Sequence, residues 1–471
     1  METFLLYIPF AVATFMGYLL VELLFAGQSR PPFMLRLLLG AAAGLGLCAA
    51  LTFTSFIFFD HFKRAYLVAA SAVLTAALAG GHVYAFMRFK DAFWKTGKFD
   101  PTQFAFFAAL AVLSVPFWYL VHFYAYGGWD AWAAWNLKAK FLFLGGTQWE
   151  GMFDDKLWRS SPHYPLLLPL MNVWGWLFQK EPVFQGPCFT AFYTTMVLVG
   201  TLVYGLWVIT KTRFAILAAP MLLLMGFYVK LSLSQYADNI VGLYLLAGVV
   251  CLVLARLNNQ AAYAALAGFF LGTMSFAKNE GLLAALSILV LAVPYIYWKN
   301  PAEKRHRLVI GLCAGAAIGF IPFIVFSMLY APESLTFVNG FTSQAQPVTG
   351  LRVKTILGYY TMEVGSPIWR IFAPFIEGLE KADFADKWNG IWIVLGVSLL
   401  MGVKHCLARR QIIIPVFLIL YMSAVTFYYI MNTYFPIEWW LQVTLHRIIS
   451  ALLPTVIFWA FLSLWPEDKK I

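Results

Sequence analysis

Two aspartates stand where apolar segments of the chain meet polar ones, and both are candidates for proton transfer. Asp130 follows Gly127-Gly128-Trp129 at the end of one apolar run, and Asp238 lies in the polar turn Ser234-Gln235-Tyr236-Ala237-Asp238-Asn239 before another. A carboxylate at such a boundary is costly unless it is paired or hydrated, and an ionised carboxylate can act as a general base. A helix N-cap is the alternative role for each, because aspartate is a favoured capping residue.

Basic residues at similar boundaries are candidates for binding an anionic group. Lys278 and Glu280 lie in the tight turn 275–281, and His446 and Arg447 lie at the mouth of the last apolar run. A planar guanidinium suits phosphate oxygens. The alternatives are an internal salt link between Lys278 and Glu280, and an ion pair between Arg447 and an acid.

A short helix is predicted directly after Asp130. Trp129, Trp132 and Trp135 recur every three residues, so a helix would place them on roughly one face, suited to the lipid headgroup level. The same helix would carry Lys138 and Lys140 near lipid phosphates. The sequence therefore predicts an interfacial helix that also supplies cations.

His163 and Tyr164 lie in the proline-rich stretch 161–169 of the same segment. The prolines and the aromatic residues that follow predict a second short interfacial helix. His163 has two possible roles, a structural one and donation of a hydrogen bond to a phosphate oxygen.

The elements that must position these residues are almost entirely apolar. Hydrophobic residues make up 62% of the 471-residue chain and charged residues only 12%. Since about 20 apolar residues are needed to cross a bilayer, we predict an all-α integral membrane protein with about 11–13 transmembrane helices. The candidate spans are 3–26, 35–58, 64–88, 102–124, 187–210, 213–230, 238–256, 261–277, 281–297, 307–330, 388–404, 411–433 and 444–465.

Short basic links predict the orientation, because Lys and Arg are retained on the cytoplasmic side. Five basic segments fall on one side of the predicted bundle. Segments 125–186 and 331–387 then fall on the opposite, outer side, together with both aspartates. The basic links are Arg88 to Lys98, Lys211 with Arg213, Lys299 to Arg307, Lys404 to Arg410, and Lys469 with Lys470.

The formal charge of +11 is accounted for by these links, so it gives no reason to expect nucleic acid as a partner. Five cysteines are scattered without CxxC pairs or a histidine partner at ligand spacing, so the sequence supports neither a disulfide framework nor a zinc site. GxGxxG and P-loop patterns are absent, and so is a soluble domain large enough for a nucleotide. We predict no cofactor and no dedicated metal site, although the outer carboxylates could hold a divalent cation.

Taken together, these residues resemble the GT-C superfamily of polytopic membrane glycosyltransferases, in particular the bacterial protein-mannosyltransferase and aminoarabinose-transferase-like branch. The resemblance covers roughly 102–465 and rests on Asp130, Asp238, Lys278, Arg447 and the long late loop 331–387. Two features depart from the branch. The branch usually places its acidic loop directly after the first span, whereas here about three further spans come first, and Ala131 stands where a second acid often follows the first.

The resemblance implies transfer of a sugar from a polyprenyl-phosphate donor to a hydroxyl of a lipid, glycan or protein acceptor, beside membrane lipids. Asp130, or Asp238 as second choice, would be the general base, and the cations, with Lys138, Lys140, His163, Tyr164, Glu280 and His446, would line the substrate site. A transporter or flippase of lipid-linked sugars and a lipid-linked glycan ligase are the alternatives. The expected location is a bacterial inner membrane, with a periplasmic active site and a cytoplasmic C-terminus.

This prediction divides the chain into four parts. They are N-terminal transmembrane helices over 1–101, a GT-C-like core over 102–330 with outer loop 125–186, a periplasmic loop over 331–387, and C-terminal transmembrane helices over 388–471.

Overall fold

The computed structural model describes residues 2–89, 100–297, 302–334, 348–372, 387–388, 390–407 and 411–465. Within these ranges the regular structure is helical and no strand is present. The α-helices are α1 Glu2–Leu5, α2 Ile8–Leu24, α3 Phe33–Phe59, α4 Arg64–Arg88, α5 Pro101–Phe123, α6 Asn136–Leu144, α7 Leu167–Gly175, α8 Gln185–Thr210, α9 Ala218–Leu223, α10 Gly226–Leu233, α11 Ala237–Asn258, α12 Ala261–Ser275, α13 Asn279–Tyr297, α14 Ala302–Leu329, α15 Gly350–Phe372, α16 Ile391–Met401, α17 Val403–Cys406, α18 Ile413–Met431 and α19 Ile437–Ser463.

The predicted spans all fall on helices of the described chain. Nine of these helices are long and apolar enough to cross a bilayer: α3, α4, α5, α8, α11, α13, α14, α18 and α19. Three more spans correspond to the shorter apolar helices α2, α12 and α16. The all-helical prediction is confirmed, and the nine long apolar helices indicate a multi-pass membrane protein.

The segment predicted as a span over 213–230 is a bent pair of helices that are together long and apolar enough to cross a bilayer. A 3₁₀ turn and α9 form its first half and α10 its second, and the two halves meet at an angle of 72°. Met225 adopts an extended conformation at the break. Because its residues are as apolar as those of its neighbours, hydropathy alone did not show the break.

Helices α12 and α14 approach each other closely because both carry small residues at intervals of four. A Cβ atom on Gly315 would lie 1.9 Å from the Ala265 carbonyl oxygen, and one on Gly268 would lie 2.0 Å from that of Leu312. Such spacing lets two helix backbones pack directly against each other in a membrane.

The loop 125–186 covers one end of the bundle. The Gly128 amide donates to the Ser234 carbonyl at 3.0 Å, and the Leu167 amide donates to that of Phe276 at 3.0 Å. Trp149 donates from Nε1 to Asp60 at the end of α3, at 2.9 Å. These bonds attach the loop to three different turns, so the two aspartates are brought to the same end.

Basic residues collect at the other end in the described part of the chain. Helices α8 and α11 start beside the loop and run away from it, and their far ends carry Lys211 and Arg256. Helix α14 runs the opposite way, and its first turns carry Lys304 and Arg305. Arg88, Arg213, Arg307 and Lys404 are further predicted link residues in the described part of the chain, and the others lie in the segments 90–98, 298–301, 408–410 and 466–471, outside the described residues. Which end faces the cytoplasm stays a prediction.

The sequence predicts a loop over 331–387, but the described part of this segment contains the 23-residue helix α15. Two of its charged side chains face inward: Arg352 donates to the backbone carbonyls of Tyr429 and Asn432, and Glu363 accepts hydrogen bonds from Lys387 and Trp388. Its apolar side chains Leu351, Leu357 and Met362 are exposed. Such a helix fits a position with its outer face in lipid and its polar face toward the protein.

Candidate active site

Five charged side chains from four separate parts of the sequence form one continuous cluster of ion pairs. Arg447 donates from Nη1 to Asp130 Oδ2 at 2.6 Å, and from Nη2 and Nε to Asp238 Oδ2 at 2.8 and 3.1 Å. Lys278 Nζ lies 3.1 Å from Asp238 Oδ1 and 3.0 Å from Glu280 Oε1. The order is therefore Asp130, Arg447, Asp238, Lys278, Glu280, with charges that alternate along it.

The central residues of this cluster are buried, and the residues at its two ends are partly exposed to solvent. The Asp238 side chain is 9% exposed and the Lys278 side chain 4%, whereas those of Asp130 and Glu280 are 32% and 26% exposed. A buried charge is tolerated when it is paired and hydrogen-bonded. Asp238 meets that condition through both of its oxygens, so it serves as the central counterion of the two cations.

Neither aspartate acts as a helix cap. Asp130 precedes the π-helical turn Ala131–Trp135, and its side chain makes no capping hydrogen bond there. Tyr236 occupies the cap position of α11, so Asp238 lies one residue inside the helix. The ion-pair alternative for Arg447 and the salt link between Lys278 and Glu280 are both present, and they turn out to be parts of a single cluster.

Gly127 allows the chain to place Asp130 beside Arg447. Its φ is +67°, and a Cβ atom there would lie 2.6 Å from the Ser234 carbonyl oxygen. Glycine populates this left-handed region without the steric cost that other residues incur. The loop therefore sits directly on the turn that leads to Asp238.

Gln235 joins the two aspartate-bearing segments. It is not among the residues that the sequence predicts for the site. Its Nε2 donates to the carbonyls of Tyr124 and Ala125 at 3.3 and 3.1 Å, and its Oε1 accepts from Asn136 Nδ2 at 2.8 Å. Asn136 in turn accepts from Asn172 of α7 at 3.0 Å. The sequence places this side-chain amide in the turn before Asp238. Only the fold shows that it connects this turn to the loop that carries Asp130.

Tyrosine rings flank the two cations. The Arg447 guanidinium lies 4.3 Å from the centre of the Tyr236 ring, and Lys278 Nζ lies 5.8 Å from that of Tyr164. The Tyr164 ring also stacks on Trp135 at 5.6 Å. Burial, followed by the charge of Glu280, raises the pKa of Tyr164 well above its usual range, so its hydroxyl stays protonated. Burial alone would lower the pKa of Lys278, but Asp238 and Glu280 outweigh it and raise that pKa, so the ammonium stays charged.

Lys138 and Lys140 do not join the cluster. Lys138 is buried and donates to the carbonyl oxygens of Ser161, Pro162 and Tyr164 at 2.7, 3.4 and 3.1 Å. Burial lowers its pKa to about 7. Lys140, two residues on, is exposed. Lys138 thus holds the loop that carries Tyr164, which differs from the predicted role at lipid phosphates.

The two candidate histidines lie beside the cluster rather than in it. Burial, and then the nearby charge of Lys138, lowers the pKa of His163 to about 4, so this ring is neutral at pH 7. The His446 ring packs 5.5 Å from that of Phe227 on α10. Its Nδ1 is buried and has no hydrogen-bond partner among the described residues. Neither side chain supplies a cation to an anionic ligand in this arrangement.

One of the three tryptophans that were predicted to share a helix face does not lie on it. Trp129 and Trp132 are 55% and 52% exposed, but Trp135 is fully buried. The reason is the π-helical turn Ala131–Trp135, whose wider spacing rotates the third ring inward. The second predicted helix, α7, has all nine residues buried, so it lies within the protein rather than on a lipid surface.

A small pocket lies against the buried side of the cluster. Its walls include Tyr228 and Ser232 of α10, Asn239 and Asp238 of α11, and Arg447. Its volume of about 10 Å³ holds roughly one water molecule. In the described residues no group of three or more His, Cys, Asp or Glu side chains is arranged to hold a metal ion.

Fold and site together describe a multi-pass helical protein whose ion-paired cluster lies at one end of the bundle. Comparisons of the chain with protein-family models, with curated proteins and with solved structures found no match.

Proposed function

We propose that this protein is a membrane glycosyltransferase that moves a sugar from a polyprenyl-phosphate donor to an acceptor hydroxyl. The observation that carries this proposal is the position of Arg447 between Asp130 and Asp238, with Lys278 beside them. Transfer of this kind needs a base for the acceptor and cations for the departing phosphate, and the cluster offers both within one site.

Asp130 is the preferred base because its carboxylate is a third exposed and makes a single ion pair. It takes the proton of the acceptor hydroxyl, whose oxygen then forms the new bond to the anomeric carbon. The bond from that carbon to the phosphate oxygen breaks, and the electron pair leaves with polyprenyl phosphate. Arg447 and Lys278 stabilise the negative charge that develops on the leaving phosphate.

The proposed setting is the outer face of a bacterial inner membrane. The site lies at a bundle end, where a lipid donor can enter from the bilayer and a lipid, glycan or protein acceptor from the water. The opposite end carries basic residues such as Lys211 and Lys304, and such residues mark the cytoplasmic side. A mid-membrane pathway, which a transporter would use, is not needed for this chemistry.

Sugar transfer in reconstituted vesicles tests the proposal. Radiolabelled polyprenyl-phosphate hexoses are supplied, and label is counted in lipid, glycan and protein fractions. Asp130→Asn is expected to reduce transfer by at least about 100-fold, since general base catalysis contributes a factor of about 10²–10⁴.

Asp154→Asn is the matched control. Asp154 lies in the same loop, but its carboxylate caps the 3₁₀ turn Asp155–Ser160 by accepting from the Lys156 amide at 2.8 Å. Asparagine caps equally well, so this variant should transfer at the wild-type rate. Near-normal transfer by Asp130→Asn would remove Asp130 as the base.

A further inference from the structure

The two cations of the cluster are already bound by carboxylates. Each of the three guanidinium nitrogens of Arg447 donates to Asp130 or Asp238, and Lys278 binds both Asp238 and Glu280. Three acids and two bases give the cluster a net charge of 2 − 3 = −1. An anionic phosphate brought to this arrangement is repelled unless a carboxylate gives up its place.

The three carboxylates are not held equally. Asp238 uses both oxygens, accepts from both cations and is 9% exposed. Asp130 has one ion pair through one oxygen and is 32% exposed. Glu280 is 26% exposed, and its Oε2 has no hydrogen-bond partner among the described residues. The two terminal carboxylates are therefore the ones that can be displaced.

We propose that the phosphate of a lipid ligand binds this cluster by ion-pair exchange, replacing Asp130 on Arg447 and Glu280 on Lys278. Without the two terminal acids, Arg447, Lys278 and Asp238 carry a net charge of 2 − 1 = +1, which attracts a phosphate. A phosphate oxygen can accept the Nη1 hydrogen bond that Asp130 accepts now, so the exchange leaves every guanidinium nitrogen of Arg447 with an anionic partner.

The exchange also explains how Asp130 becomes available as a base. In the present arrangement its Oδ2 is held by Arg447 at 2.6 Å, and this ion pair makes the carboxylate a weaker base than an unpaired one. A phosphate on Arg447 releases that oxygen only when the donor is in place. This inference rests on the proposed function for its donor, but it makes a separate prediction about binding.

Binding of farnesyl phosphate to the purified full-length protein in detergent tests the exchange, measured by titration calorimetry. If Asp130 and Glu280 compete with the phosphate, Asp130→Asn and Glu280→Gln should each bind farnesyl phosphate more tightly than the wild type. The expected gain is about two- to five-fold, the range for ion pairs that are partly exposed. Asp154→Asn should bind as the wild type does.

Three ligands separate the sources of binding. Farnesol, which lacks the phosphate, should show no gain in either variant. A gain with inorganic phosphate but none with farnesyl phosphate would overturn the assignment to a lipid phosphate. Unchanged or weaker farnesyl phosphate binding in both variants, each with a wild-type thermal midpoint, would overturn the exchange itself.

The outcome is distinguishable from that of the proposed function. Tighter phosphate binding in Asp130→Asn without any sugar transfer by the wild type would keep the exchange and reject the glycosyltransferase. A merely structural role for Asp130 would instead lower both transfer and phosphate binding.

Discussion

At the scale of single residues, the site depends on how each carboxylate is shared. Asp238 binds both Arg447 and Lys278, and Asp130 binds only Arg447. The two structural alternatives predicted for these residues, an ion pair and a salt link, are both present as contacts within one larger cluster. The contacts expected of a purely structural role therefore lie within the proposed active site.

Lys138 lies on the short helix predicted after Asp130, but its contacts differ from the predicted ones with lipid phosphates. Its ammonium has three donors and lies near three backbone carbonyls. We expect Lys138→Met to lower the thermal midpoint, because each carbonyl left without a donor costs about 1–3 kcal/mol.

Lys140→Met is the control for this substitution, since Lys140 lies on the same helix and is exposed. It should change stability by less than about 0.5 kcal/mol. Thermal unfolding of the purified variants in detergent measures both effects. Equal midpoints for the two variants would contradict the anchoring role of Lys138.

At the residue scale the sequence allowed the charged members of the cluster to be predicted as candidates. Acids and bases at the ends of apolar runs are costly, so Asp130, Asp238, Lys278 and Arg447 could be recognised by position. Their pairing depends on which turns meet at the end of the bundle. Gln235, which joins two of these turns, has no charge to mark it and was missed.

At the scale of elements, the site depends on a loop that sits tightly on a turn. Gly127→Ala adds a Cβ atom 2.6 Å from the Ser234 carbonyl at a φ of +67°. We expect the loop to shift and sugar transfer to fall by about 10- to 100-fold, since a displacement of about 1 Å in a catalytic group has an effect of this size.

Gly146→Ala is the control that separates the effect of the steric clash at residue 127 from the effect of backbone strain. Gly146 also has a positive φ, of +53°, but nothing lies within 4 Å of an added Cβ atom. It should cost about 1–2 kcal/mol of stability through strain alone and leave transfer at the wild-type rate. Equal losses of transfer in the two variants would show that strain, rather than the contact with Ser234, explains the effect.

Apolar run length predicted the helices well, because that signal is strong over about 20 residues. It failed where geometry departs from a straight α-helix. The π-helical turn Ala131–Trp135 buries Trp135, and the 72° bend between α9 and α10 interrupts a predicted span. Both departures lie next to the cluster, where Tyr228 of α10 also lines the small pocket.

At the scale of the whole molecule, the two ends of the bundle differ in charge pattern. The cluster and the loop 125–186 lie at one end, and the basic ends of α8, α11 and α14 lie at the other. The orientation of these two ends in the membrane stays a prediction from the short basic links. The division into N-terminal helices, a core, an outer loop and C-terminal helices stays a prediction.

The measurement that tests this account most directly is a structure of the protein with farnesyl phosphate bound. We expect phosphate oxygens within about 3.2 Å of Arg447 and Lys278, and Asp130 moved beyond about 4 Å from the guanidinium. Asp238 should keep its contacts with both cations. A phosphate bound elsewhere, with Asp130 Oδ2 still 2.6 Å from Arg447 Nη1, would contradict the account.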